Sequence, residues 1–268
     1  VVELPDWVPD GVEVTVPNAA RMYDYALGGY HNFAVDREFV ERAEKSMPGA
    51  IAVGHANRAF VGRSVRWLVA AGIRQFLDIG SGIPTLGNVH EVAQLAAAES
   101  RVAYVDIDPV AVAHSQAILA GNPLATVVQA DLRQPSDILY HPEVLRLLDF
   151  SQPVAVLLNA VLHFLPDSDD PLAIVARIKE ALVEGSYIAM THGTEVRERA
   201  DEQAEIRQLY RSTPTSVTFR DADQLKEFFT GMELVEPGIV LVTDWHPDAE
   251  EQDDPPQPGV LAAIGRKP

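Results

Sequence analysis

Short apolar runs alternate with amphipathic stretches from residue 74 onward. RQFLDIG (74–80), RVAYVDID (101–108), ATVVQAD (125–131), PVAVLLNAVLHF (153–164) and SYIAMTH (186–192) are nearly all apolar at their centres. Strands buried on both faces read this way. Between them lie LGNVHEVAQLAAAE, PVAVAHSQAILA and DDPLAIVARIKEALVEG, which read as helices, the last closed by a glycine. The alternation predicts a parallel sheet covered on both sides. The end of the chain departs from it. RADEQAEIRQLYRS and DADQLKEFFTG read as helices, and ELVEPGIVLVTDW and GVLAAIGRK as strands joined by HPDAEEQDDPPQPG, an acidic solvated connector. The expected fold is α/β, a doubly wound sheet of seven strands, mostly parallel with an antiparallel C-terminal edge hairpin.

Upstream of residue 74 the pattern is helical. Residues 1–17 are extended and proline-rich. PNAARMYDYALGG predicts a short helix, with Asn18 as its N-cap and Gly28-Gly29 as its stop. HNFAVDREFVERAEK predicts a second, which Asp36 can cap. A longer amphipathic helix runs from about Asn57 to Ala71 and ends at Gly72. Its buried stripe would be Phe60, Val61, Val65, Leu68 and Val69, leaving Arg58, Arg63 and Arg66 largely on other faces as a solvated or salt-bridged cluster. The expected organisation is an arm, helical cap and first core helix over residues 1–72, and a cofactor-binding core over 73–268, together one compact domain.

Charge and composition narrow the function classes. The 268 residues carry 39 acidic against 21 basic side chains, a formal charge of −18. Such a surface repels phosphate backbones, so no nucleic-acid partner is expected. No run reaches the roughly 18 apolar residues of a membrane span, so no membrane partner is expected either. Cysteine is absent, which removes disulfides, thiolate ligands and a cysteine nucleophile, and suits a cytoplasmic home. The opening VVELPDWVPDGVEV has neither the basic region nor the apolar core of a secretory signal. It also lacks an initiator Met, so the expectation is a start inside the natural chain.

Ligands of an open α/β sheet bind at the carboxyl ends of the strands. The first strand ends in Asp78-Ile-Gly80-Ser-Gly82, whose glycines let a backbone approach a ligand and turn into a helix. A dinucleotide fingerprint would have its third glycine where Thr85 stands. Asp106 ends the second strand, placed for both hydroxyls of a ribose, with Asp108 as the N-cap before Pro109. Asp131 ends the third, where its carboxylate would accept from an adenine amine. Asp78 would oppose a pyrophosphate but suit a cation. Together the acids match an adenosine carrying positive charge and no phosphate, as S-adenosylmethionine does. Individually, Asp78 also reads as a loop cap and Asp131 as a turn residue.

FLDIGSG, VDIDP, QADLRQP and LLNAVLHFLPD resemble the successive motifs of class I S-adenosylmethionine-dependent methyltransferases. More narrowly, PNAARMYDYALGGYHNFAVDRE, HANRAFVGRSVRWL and IGSGIPTLGNVHEVAQ resemble a bacterial family named S-adenosyl methyltransferase, long catalogued as a domain of unknown function, over about residues 8 to 267. The resemblance implies a Rossmann-like class I methyltransferase fold with a helical N-terminal cap, S-adenosylmethionine as methyl donor and S-adenosylhomocysteine as product. By position it puts Gly80 and Gly82 beside the methionine moiety, Asp106 on the ribose and Ile107 against the adenine face. Asp131 and Leu132 border the adenine, and Asn159 and Ala160 meet the amino-acid portion. The cap segment RMYDY…GGYHNF implicates Arg21, Tyr23 and Asn32. Arg21 suits either the cofactor carboxylate or a structural salt bridge, and Tyr23, Tyr25 and Tyr30 either packing or a ligand.

Methyl transfer mainly requires donor and acceptor held in line and away from water. A base is needed only if the acceptor must lose a proton. His163, His192 and His31 are the candidates, though each reads more readily as a hydrogen-bonded structural histidine. LLNAVLHF lacks the Asn/Asp-Pro-Pro-Tyr/Phe motif of DNA and protein-amide methylation, so the expected partner is a small-molecule acceptor. The eight histidines are scattered, with neither a His-Glu-x-x-His nor a calcium-loop pattern, so no metal is expected. The alternative class is a non-catalytic sensor of S-adenosylmethionine or its demethylated product. A nicotinamide-dependent oxidoreductase is disfavoured by Thr85.

Overall fold

Three helices precede the first strand in a computed structural model that describes residues 8–9, 12–84, 87–211, 213, 215–251 and 258–268. Helix α1 (Ala19–Ala26) starts where the Asn18 side chain accepts from the backbone N–H groups of Ala20 and Arg21. It stops at Gly28, whose φ of 80° is left-handed. In α2 (Ala34–Ser46), Asp36 caps from inside the first turn, accepting from the Phe33 N–H at 2.8 Å. Helix α3 (Ala50–Ala70) begins seven residues earlier than its apolar stripe predicts. Glu44, on α2, accepts from the N–H groups of Gly49 and Ile51, both at 2.9 Å, so a tertiary contact supplies the missing cap.

Strands and helices then alternate as expected: β1 (Gln75–Ile79), α4 (Val89–Ala96), β2 (Arg101–Asp106), α5 (Pro109–Leu119) and β3 (Ala125–Gln129). Two short helices, α6 (Pro135–Leu139) and α7 (Pro142–Leu147), lead to β4 (Ala155–Asn159). After them come α8 (Pro171–Ala181), β5 (Tyr187–Gly193), α9 (Ala200–Tyr210) and α10 (Ala222–Phe228). The chain closes with β6 (Glu233–Leu234), β7 (Val240–Leu241) and β8 (Val260–Arg266). The order across the sheet is β3-β2-β1-β4-β5-β8-β6, with β7 also paired to β8. β1 to β5 pair in parallel, and β8 runs antiparallel between β5 and the last short strands.

The sheet therefore has eight strands rather than seven. Pro237 and Gly238 interrupt ELVEPGIVLVTDW, and the run splits into two pieces, each pairing with β8. Thr85 and residues 252–257 of the acidic connector lie outside the described residues.

Each face of the sheet carries an apolar layer. One joins Leu77, Val105, Val156 and Ile188 to Ile138, Val144, Ile178 and Phe228. The other joins Phe76, Val102, Leu157 and Ala189 to the stripe of α3 and to Trp245. All five expected stripe residues of α3 are buried, but Arg63 corrects the surface reading. It is buried too, donating to the Trp245 and Val242 carbonyls at 3.1 and 2.7 Å and pairing with Glu251. Arg66 behaves as expected, pairing with Asp248 at the surface. A third, smaller cluster ties Met22, Phe39 and Val40 of the leading helices to Ile206 and Leu209 of α9. No described helix is long and apolar enough to cross a membrane.

Candidate active site

The carboxyl ends of β1, β2, β4 and β5 open on a cavity of about 910 Å³, also lined by residues of α1, α2, α3 and α9. That volume sits near the top of the roughly 300–1,000 Å³ usual for a ligand site.

The turn after β1 takes its shape from its glycines. Gly80 and Gly82 have φ of 74° and 66°, a region that costs any side-chain-bearing residue. At Gly80 a Cβ would also stand 2.5 Å from Val161 Cγ2, whereas at Gly82 it would meet nothing within 4 Å. The Asp106 carboxylate closes this turn against β2. Its oxygens accept from the N–H groups of Gly82 at 2.7 Å and Asp108 at 2.8 Å. Burial pushes its carboxyl up to about 6 even though these bonds pull the other way. Asp108 caps α5 by accepting from the Val110 N–H at 2.7 Å, as its place before Pro109 suggested.

Asp78 is buried at the same wall. Burial raises its carboxyl to about 7, with the Arg58 charge opposing the rise and Asp106 adding to it. No hydrogen bond from a described residue offsets that burial. Asp131 is differently placed, gripped by its neighbour Arg133 through both carboxylate oxygens. Burial pushes its carboxyl up, but the Arg133 hydrogen bonds outweigh this and leave it below the ordinary value. Leu132 is buried beside it, and Ile107, 54% exposed, turns an apolar side chain to the cavity.

At the end of β4, neither Asn159 Oδ1 nor Nδ2 finds a partner although both are buried. Ala160 has a left-handed φ of 51°, a strain typical of sites that ligands use. Its N–H donates to the Thr191 hydroxyl at 2.8 Å, and that hydroxyl donates to Asn57 Oδ1 at 2.6 Å. Asn57 Nδ2 donates in turn to the Tyr23 hydroxyl at 2.9 Å, which donates to the Gly54 carbonyl. This relay runs from α1 through α3 to the strand ends. It was not visible in the sequence, because its members lie 31 to 134 residues apart.

The cap residues fall into two groups. Arg21 and Tyr23 line the cavity, whereas Asn32 and His31 are not among its lining residues. Asn32 is buried inside the cap, donating to Asp24 and to the Gly29 carbonyl. His31 lies with its ring 3.7 Å from that of His114. Arg21 gives Nε to Asp36 at 2.9 Å and its terminal nitrogens to the carbonyls of Glu13 and Val16. Its guanidinium therefore holds the arm and α2 together. Arg58, read from sequence as surface, lines the cavity and donates to Asn88 Oδ1 at 3.1 Å. Its position one residue after Asn57 and off the apolar stripe was the only available signal.

His163 and His192 meet at the cavity, ring centroids 5.8 Å apart. His192 Nε2 lies 3.0 Å from Arg220 Nη1, which can only donate, so Nε2 accepts. Nδ1 must then carry the proton that it donates to the Gly193 carbonyl at 2.7 Å. Both nitrogens of His192 are thus committed. His163 Nδ1 is buried with no partner, and burial, His192 and Arg220 together push His163 down to about 3. Among the described residues no group of three metal-ligating side chains is close enough to hold an ion.

Comparison with known proteins agrees with this geometry. The family described as S-adenosyl methyltransferase matches residues 5–268. A DUF574 family protein from Streptomyces avermitilis is 42% identical, with a TM-score of 0.91 over 95% of this chain and 99% of its own. A proposed methyltransferase from Thermobifida fusca is 39% identical, with a TM-score of 0.89 over 98% and 99% of the two chains. Human N-acetylserotonin methyltransferase, solved with S-adenosylmethionine, shares the fold at 14% identity and a TM-score of 0.50, over 91% of this chain and 62% of its own. No curated protein matches the sequence. Cavity, strand order and relatives converge: the chain belongs to the S-adenosyl methyltransferase family and is an S-adenosylmethionine-dependent methyltransferase.

Proposed function

We propose that the cavity holds S-adenosylmethionine across the ends of β1 to β4 and that the methyl acceptor is a small molecule. The observation that carries this reading is Asp78, a buried carboxyl with the nearby Arg58 charge and no hydrogen bond from a described residue. Such a group calls for a cationic hydrogen-bond donor, and an α-ammonium is one. Arg58, rather than Arg21, then faces the α-carboxylate. Asp106 keeps lone pairs for the ribose hydroxyls beyond the two backbone bonds it accepts. Ile107 and Leu132 flank the adenine, Asp131 borders it, and the orphaned Asn159 amide with Ala160 meets the amino-acid end. Residues 18–54 act as the cap.

Bound S-adenosylmethionine supplies an electrophilic methyl group on its sulfonium. The chain's own contribution is to fix the two reactants and keep water out, as apolar cap residues such as Met22, Val40 and Ile51 do at the wall. A formal charge of −18 favours a small acceptor over a nucleic-acid polymer. Titration calorimetry with S-adenosylmethionine, S-adenosylhomocysteine and NAD in parallel tests the reading. Dissociation constants of about micromolar order are expected for the first two, and none for NAD. Binding of NAD alone would overturn it.

A further inference from the structure

The cavity divides into two halves of opposite character. Its charged wall residues are all linked to the donor side. Arg58 and Asp106 act on Asp78. Arg21 acts on Asp108, with Glu13 beside it. Arg133 is held by Asp131 and feels Asp169. Apart from Arg21 on α1 and Arg58 on α3, the wall that the cap helices, the one-turn helix Leu162–Phe164 and α9 supply carries no carboxylate, lysine or arginine among its described lining residues. Even its two histidines are uncharged at neutral pH, His163 pushed down to about 3 and His192 to about 4, burial being the largest cause in each.

Three phenyl rings, Phe39, Phe164 and Tyr210, stand in this second half beside aliphatic residues such as Val40, Ile51 and Leu165. Phe39 and Tyr210 meet edge to face with centroids 5.0 Å apart, and Phe164 lies 5.9 Å from Tyr210. Phe164 also packs 4.2 Å from the His163 ring. Burial alone pushes the Tyr210 hydroxyl up to about 12, with no hydrogen bond opposing it. Met22 adds a polarisable side chain to the same wall. One buried polar atom on this wall, His163 Nδ1, has no partner. Rings set at steep angles favour a flat π-system over an aliphatic body, because faces and edges can both be matched. Away from those two arginines, such a wall rejects an ionised ligand, which would have to leave water without a counter-charge. The unpartnered nitrogen asks for one hydrogen-bonding substituent beside it.

We propose that this half of the cavity binds the methyl acceptor as a neutral, flat aromatic molecule, its ring against Phe39, Phe164 and Tyr210 and one hydroxyl or amine at the His163 end. The proposal rests on the donor reading above, since it takes the other half as the cofactor's. His163 is a binding contact in it. His192, with both nitrogens committed, serves to fix the wall through Arg220, which also ties down the Leu162 and Leu165 carbonyls.

The test is calorimetry of 2-naphthol, its saturated counterpart 2-decalol and ionised 2-naphthoate, each with and without saturating S-adenosylhomocysteine. Naphthol is expected to bind about fivefold to tenfold tighter than decalol. Naphthoate is expected to be weaker than naphthol. Tyr210→Leu should weaken naphthol by about fivefold while leaving S-adenosylhomocysteine affinity unchanged. Phe164→Leu, on a half-buried ring, reads the same effect if Tyr210→Leu does not fold. His163→Ala should weaken naphthol but not naphthalene. Equal affinity for decalol, tighter binding of naphthoate, or indifference to both ring variants overturns the proposal. S-adenosylhomocysteine binding without any naphthol binding sinks the aromatic chamber alone. Failure of S-adenosylhomocysteine itself to bind sinks the donor reading.

Discussion

Asp78 and Asp106 keep carboxyls whose ionisation the fold resists, at about 7 and about 6 against an ordinary value of 3.8. An acid raised in this way stabilises the fold fully only below its unfolded value and loses that contribution as pH rises through the folded one. At neutral pH the empty site therefore carries an electrostatic cost that a bound ammonium and ribose relieve. Protons compete with such a ligand for the same oxygens. Affinity for S-adenosylmethionine should weaken as pH falls from about 8 to about 5, by up to about tenfold per unit for each carboxylate that must be ionised. Calorimetry across that range checks it, and a flat profile would show that neither acid meets the ligand as an anion. Asp106→Ala should cost roughly 2–4 kcal/mol of cofactor affinity by removing two charge-assisted hydrogen bonds. Because Asp106 also closes the turn onto Gly82, the variant's thermal unfolding should be recorded beside its binding.

Between residues and whole molecule, the turn joining β1 to α4 is the element that the proposed donor site leans on most. Gly80→Ala has to accept a left-handed φ, about 1–2 kcal/mol, and in addition displace Val161. Gly82→Ala bears only the first cost, since its Cβ would enter open space. The expected order of stabilities in denaturant unfolding is wild type, then Gly82→Ala, then Gly80→Ala. A reversed order would mean that Val161 yields without cost. This turn was legible in the sequence because strand, glycines and acids are contiguous there, and β2 and Asp106 follow from the same local logic. Helices α6 and α7 were not, being five and six residues long, too short for an apolar period to show. The start of α3 depends on Glu44 and the arm on an Arg21–Asp36 pair 15 residues apart, both contacts that only folding creates. His31 and Asn32 entered the expected site as members of the cap motif, but they are not among the residues that line the cavity.

For the molecule as a whole, Arg63 is the clasp between the first core helix and the C-terminal segment. It satisfies carbonyls of Val242 and Trp245, and Trp245 lies edge-on to Phe60 and Trp67 at 5.3 and 6.0 Å. Arg63→Ala would strand those carbonyls in the core and should cost about 3–5 kcal/mol, a large share of the roughly 5–15 kcal/mol that holds a domain folded. A shift of the urea midpoint measures it, and a loss below about 1 kcal/mol would show that water replaces the guanidinium. The small cluster that joins Met22, Phe39 and Val40 to Ile206 and Leu209 has a different kind of consequence. It builds part of the proposed acceptor wall from two stretches of chain that add no strand to the sheet, while the sheet itself supplies the strand-end acids on the proposed donor side. Mutational drift in those two stretches can therefore change which compound is methylated while the inherited donor site stays intact.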